Sequence, residues 1–227
     1  MTALHPPLPP EVIETITARH GTPHLHDSFD PARAALVVVD MQDAFLLPEI
    51  GFVPCAAARA IIPNINRLAG IARSAGMPVI WLRNVHDHEV KASWSLFYRR
   101  LGDDGGRRRL EALSTGAPGF RLSDQLDVGR DDIVLTKRRF SAFTRGSSGL
   151  EEELVSRGID TLIVTGCTTD VCVESTVRDA MMLNYAVIVA SDATAAMTDA
   201  AHIAALTAIY THFADVMTTE ELSVRLA

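Results

Sequence analysis

Three runs in this chain carry apolar residues side by side without alternation: ALVVV at 35–39, LIV at 162–164 inside TLIVT, and AVIVA at 186–190. A strand with one face in water alternates polar and apolar residues, so an uninterrupted β-branched run has no solvent face and must be covered on both sides. That is the position of a central strand in a parallel sheet, and such a sheet requires helices above and below it. Three weaker runs, at 78–82, 132–136 and near Val216, complete a set of six.

The segments between the runs carry helical spacing. Ile62, Ile65, Leu68 and Ala72 share one helical face, Pro63 falls in the first turn, and Gly76 stands at the stop. Ser148 with Glu151 predicts a capping box, and Gly158 the end of that helix. Asp170 is placed to cap a helix with Val173, Val177 and Ala180 facing inward, with Asn184 as its left-handed stop. A helix over Ala200–His212 and a last one capped by Thr218 and Glu221 follow. Alternation of this kind predicts a single-domain α/β fold, a three-layer α/β/α sandwich around a mostly parallel six-stranded sheet, over residues 35–227. Residues 1–34, rich in Pro and His with a short helical pattern at Val12–Ala18, are expected to form an arm on a subunit surface. Residues 85–130 interrupt the alternation with Trp94, Phe97, Tyr98 and a GGRRR run, which predicts a lid or specificity insertion.

Composition narrows the function. The chain has 227 residues, 48% of them hydrophobic, and a net charge of −7, which suits one well-filled core and lacks the surplus of Lys and Arg that nucleic-acid binding needs. No apolar run approaches the roughly 20 residues of a membrane span. Three cysteines, an odd number, describe no disulfide framework, and MTALHPPLPPEV has no signal-peptide core, so the expected setting is the reducing cytoplasm.

In a parallel α/β sheet the site lies beyond the carboxyl ends of the strands. Three reactive residues stand there: Asp40 directly after the first run, Lys137 after DIVLT, and Cys172 in the GCTTDVC segment after TLIVT. Cys172 is expected in the first turn of a helix, whose positive end and the Lys137 ammonium would lower the thiol pKa, with Asp40 as general base. The amides of Thr168 and Cys172 are candidates for an oxyanion hole. Together these residues read as a nucleophile, a base, a cation and an anion-stabilising pocket.

VVVDMQDAF at 37–45, TKRRFSAF at 136–143 and VTGCTTDVCVESTVRDAMMLNYAVIVASDATAA at 164–196 resemble the signature blocks of the isochorismatase-like cysteine hydrolases. The resemblance implies an Asp-Lys-Cys triad of Asp40, Lys137 and Cys172, a substrate-side role for Gln42, and a non-proline cis peptide between Cys167 and Thr168. Because Cys172 is present, it implies the amidohydrolase branch: attack on a small carboxamide, ureido or carbamoyl compound, release of ammonia or an amine, and hydrolysis of a thioester. A vinyl-ether hydrolase with Asp40 as acid, and a binding member without activity, are the alternatives. Cys55 and Cys167 are read as packing residues. By the same resemblance the protein is a homodimer or homotetramer, with a small amide or ureido substrate as its partner.

VCVESTVRD and Asn84 are similar to ureidoacrylate amidohydrolases, and TTDVCV to biuret hydrolases. Metal-binding members carry Asp-x-His and a further His where this chain has Asn84, Val85, His86, Asp87 and His88, so neither a metal nor another cofactor is expected. Asn84, His86 and Arg139 are the further candidates for substrate contact, with Arg139 offering a two-pronged bond to a carboxylate and Arg138 or Arg83 as substitutes.

Overall fold

A computed structural model describes residues 8–50 and 53–226; residues 1–7 of the expected arm lie outside them. Along the chain, helix α1 (Pro10–His20) precedes strand β1 (Ala34–Val39). The helices α2 (Asp43–Leu46), α3 (Ala56–Ala60) and α4 (Ile62–Ser74) then lead to β2 (Val79–Asn84). Next come α5 (His88–Ser93), α6 (Ser95–Leu113) and β3 (Ile133–Lys137). The second half runs α7 (Leu150–Ser156), β4 (Thr161–Cys167), α8 (Glu174–Met182), β5 (Ala186–Ala195), α9 (Asp199–His212), β6 (Asp215–Met217) and α10 (Thr219–Arg225).

The six strands form one sheet in the order β3-β2-β1-β4-β5-β6, every pairing parallel. β1 is buried at all six positions, as its unbroken apolar run requires. Its residues divide between two cores. Ala34, Leu36 and Val38 pack with Ile65, Leu68 and Ala72 of α4, and Ala35, Val37 and Val39 with Leu150 and Leu154 of α7, Val177 of α8 and Ile209 of α9. The period-two pleat therefore makes the three layers.

Local signals decide the element ends. Gly76, Gly158 and Asn184 have positive φ at the helix stops, and Thr218 and Glu221 close a reciprocal capping box on α10. The box expected from Ser148 and Glu151 does not form. Ser148 Oγ accepts from the amide of Leu150 at 3.1 Å and donates to the carbonyl of Ala142 at 2.7 Å, which ties it to the preceding loop instead. The N-terminal helix lies on the surface of its own chain: Ile16 of α1 is 3% exposed and reaches the second core, with Leu8 and Val12 packed alongside, while most of the helix stays exposed. No helix among the described residues is long and apolar enough to cross a membrane.

The strand order reverses between β1 and β4. Loops leaving these neighbours diverge to opposite faces and open a crevice at their carboxyl ends.

Candidate active site

Asp40 follows β1 into this crevice in a left-handed conformation, φ 52°, which a short polar side chain tolerates. Its backbone is held on both sides: its amide donates to the carbonyl of Leu82 at 3.0 Å, and its carbonyl accepts from the thiol of Cys167 at 3.2 Å. Next door on β4, Gly166 pairs with Val39 at φ 106°. A Cβ there would meet the Val39 carbonyl oxygen at 2.1 Å, so only glycine fits. The Cys167–Thr168 peptide is cis, and Thr169–Val173 forms a π-helical turn leading into α8. Cys172 thus sits in a π turn and not in the first turn of an α-helix. Asp170 lies within that turn and does not cap it; Thr168 occupies the cap position without a side-chain bond.

The structure brings Asp40, Lys137 and Cys172 together. Lys137 Nζ is 2.8 Å from Asp40 Oδ2, with both side chains at 1% exposure or less. Lys137 Nζ also donates to the carbonyl of Arg139 at 3.1 Å. Burial by itself pulls the lysine pKa down, but the Asp40 carboxylate and the Cys172 sulfur outweigh it and hold Lys137 charged.

The thiol behaves differently from the sequence expectation. Burial pushes Cys172 up to about 12, against the pull of Lys137, and Asp40 adds to the rise. Desolvation of the thiolate is the larger effect, so Cys172 rests as the neutral thiol. Cys167, deeper still, is also raised by burial, and Cys55 donates to the carbonyl of Ala196 at 3.2 Å. Both are packing residues.

The substrate-contact candidates separate. Gln42 is fully buried, and its amide is committed to backbone: Nε2 donates to the carbonyls of Asn84 and Phe120, both at 3.0 Å, and Oε1 accepts from the amide of Asn84 at 2.6 Å. It clamps the end of β2. Asn84 is its opposite, fully buried with Oδ1 and Nδ2 both lacking a partner among the described residues. Such a side chain can bond a polar group that enters the site.

Both ring nitrogens of His86 have partners. Nδ1 is 2.7 Å from the Tyr98 hydroxyl, and Nε2 accepts from Arg109 Nε at 2.9 Å. Burial, then the charges of Arg109, Lys137 and Arg139, push the imidazole down to about 2. It is neutral, and since Nε2 is the acceptor, Nδ1 carries the proton and donates to Tyr98.

Arg139 lies on the lid, donating to the carbonyl of Arg138 at 2.8 Å and to Ser93 Oγ at 3.1 Å and stacked 5.0 Å from the Trp94 ring centre. Arg138 pairs with Asp87 at 3.1 Å, and Arg83 lies 4.4 Å over Phe120. The cation that reaches the interior is Arg109, 7% exposed on α6, 5.0 Å over Phe97 and acted on by the charges of Cys172 and Asp40. Sequence reading passed over it as one of three arginines in a lid. The signal was present: Gly106, Arg109 and Leu113 recur at helical spacing and all are buried, while Arg107 turns outward to Asp104 and Glu111.

Comparison with known proteins follows the same lines. The Isochorismatase domain profile matches residues 34–221. Ureidoacrylate amidohydrolase RutB of Klebsiella pneumoniae subsp. pneumoniae is 39% identical over 188 residues, 74% of this chain and 75% of that protein. Among solved structures, a cysteine hydrolase from Pseudomonas syringae pv. phaseolicola 1448A superposes with TM-score 0.78 at 31% identity, covering 87% of this chain and 94% of the other. N-carbamoylsarcosine amidase from Thermoplasma acidophilum gives TM-score 0.67 at 28% identity, covering 83% and 97%.

Proposed function

The chain belongs to the isochorismatase family, and from that premise we propose that it is a cysteine-dependent amidohydrolase of a small carboxamide, ureido or carbamoyl compound. The observation that carries this reading is the buried Cys172 thiol set against the buried Asp40–Lys137 ion pair, 2.8 Å apart. The relatives named for ureidoacrylate and N-carbamoylsarcosine support the C–N bond as target.

The resting thiol is protonated, so base and nucleophile act in one step. Asp40 takes the Cys172 proton as sulfur bonds to the carbonyl carbon, and the carbonyl oxygen becomes an oxyanion. Lys137 remains an ammonium and offsets the charge that moves between sulfur and carboxylate. The oxyanion is assigned to the amides of Thr168 and Cys172, since those of Val171 and Val173 donate to the carbonyl of Thr168 at 3.1 and 3.2 Å. Collapse of the tetrahedral species breaks the C–N bond as Asp40 returns its proton to the leaving nitrogen. Water then adds to the thioester, giving a proton to Asp40, and the second tetrahedral species expels sulfur, which regains that proton. Asn84 supplies a donor and an acceptor to the substrate amide. A homodimer or homotetramer remains part of the proposal.

The test is ammonia release over nicotinamide, ureidoacrylate, N-carbamoyl amino acids, biuret and maleamate, with intact-mass detection of an acyl group on Cys172. Cys172→Ala is expected to lose about 10⁴-fold or more of the rate. Full activity in that variant, or pyruvate from a vinyl ether with no ammonia from any amide, overturns the reading.

A further inference from the structure

The buried stripe of α9 runs His202, Ala205, Leu206, Ile209 and Tyr210. An apolar residue at position 202 would continue that packing without the cost of taking an imidazole out of water. His202 is nonetheless only 1% exposed. Its Nδ1 lies 2.8 Å from Oγ1 of Thr169, itself fully buried, a hydrogen bond that either tautomer can make. Thr169 opens the π turn that carries Cys172, and it stands between Thr168 and Cys172, whose amides are assigned to the oxyanion. The Val173 amide donates to the Thr168 carbonyl at 3.2 Å, which closes a ring one residue longer than that of an α-helix. Relaxing the turn to α register would rotate it by about 100°, one residue's share of a 3.6-residue turn, and swing Cys172 away from Asp40 and Lys137. The ends of the segment are tied separately: the Cys167 thiol donates to the Asp40 carbonyl at 3.2 Å, and Thr176 Oγ1 donates to the Cys172 carbonyl at 2.7 Å. Thr169, between them, joins the turn to α9.

We propose that His202 is a positioning residue for the nucleophile: through Thr169 it fixes the register of the π turn, and with it the direction of the Cys172 thiol and the spacing of the Thr168 and Cys172 amides. The effect on rate rests on the amidohydrolase reading, whereas the hold on the turn is measurable without a substrate. An element that supplies no reacting group, α9, thereby becomes part of the catalytic framework.

The experiment removes the bond from each side while keeping side-chain bulk, with His202→Leu and Thr169→Val. Each is expected to lower kcat for an amide that the wild type hydrolyses by about 10²-fold, the effect of a displacement near 1 Å at a reacting centre. KM should change by less than about threefold, because the groups that bind the ground state are not on the turn. His202→Asn, whose amide can take the place of Nδ1, and Thr169→Ser, which keeps the hydroxyl, should retain most of the rate. The double variant His202→Leu/Thr169→Val should lose no more than the larger single loss. Hydrogen exchange supplies the readout free of activity: the amides of 168–173 should exchange about tenfold faster in His202→Leu, with those of β1 unchanged. If His202→Leu does not fold, Thr169→Val against Thr169→Ser makes the same comparison from the turn side. Wild-type kcat in His202→Leu, additive losses in the double variant, or unchanged exchange at 168–173 overturns the inference and leaves the amidohydrolase reading intact. Absence of ammonia from every amide overturns that reading instead, and the exchange comparison then decides the role of His202.

Discussion

Replacing Gly166 by Ala tests the contact on which the catalytic crevice is built. The added Cβ would lie 2.1 Å from the Val39 oxygen, 2.6 Å from its nitrogen and 2.8 Å from its carbonyl carbon, where contacts shorter than 3.0 Å do not occur. Relief requires the ends of β1 and β4 to separate by about 0.9 Å, the difference between 3.0 and 2.1 Å. The obstruction is backbone held in register between Leu82 and Gly166, so no side chain can swing away. Overpacking costs about 1–3 kcal/mol, and a left-handed residue with a Cβ adds about 1–2 kcal/mol. The expected loss is thus roughly 2–5 kcal/mol in urea unfolding at neutral pH. Asp40 is the next residue along β1, and a displacement near 1 Å of a reacting group lowers the rate by about 10²-fold. Gly158→Ala is the control: its φ of 67° is also positive, but nothing lies within 4 Å of the new Cβ, so it should lose only about 1 kcal/mol and no activity. Equal stability of Gly166→Ala and Gly158→Ala, with unchanged kcat/KM, would refute the steric reasoning.

Asp40→Asn should abolish ammonia release and destabilise by about 3–5 kcal/mol, because it leaves the Lys137 cation buried without its partner; adding Lys137→Met should recover stability but not activity, and two equally unstable variants would contradict this. His86 titrates near 6.5 when unfolded and at about 2 when folded, held down by burial, Arg109, Lys137 and Arg139. Its contribution is present above pH 6.5 and lost on acidification, by about 1.4 kcal/mol per pH unit; urea unfolding at pH 6.5 and 5 should show that slope in wild type and a shallower one in His86→Gln. Gln42→Ala removes three bonds to the backbone of Asn84 and Phe120 and should cost about 2–4 kcal/mol, with a higher KM as Asn84 loosens; a thermally unaltered variant would return Gln42 to the substrate side.

The six strands were legible because continuous burial writes itself into sequence as unbroken apolar runs, and edge strands such as β3 more weakly, as its partly exposed Val134 illustrates. Helix stops at Gly76, Gly158 and Asn184 were legible because positive φ selects few residue types. Ser148 was misread because its hydroxyl has a choice of local backbone partners, and the loop carbonyl of Ala142 was not visible from a four-residue pattern. Arg109 was hidden by its neighbours: three consecutive arginines have one composition and three directions, and only the helical face separates them.

The sequence by itself determined the layered parallel fold and the three residues, Asp40, Lys137 and Cys172, that stand at its carboxyl ends, because strand burial and strand-end position are local properties of the chain. Tertiary structure alone decided their chemical states. A pKa depends on what surrounds a group in space, and for Cys172 burial outweighed the cation that proximity to Lys137 had suggested. It likewise tied Gln42 to the backbone of Asn84 and His86 to Arg109. Hydrogen bonds across 42 and 23 residues of chain carry no trace in local pattern, since the partner's position is set only when the layers close.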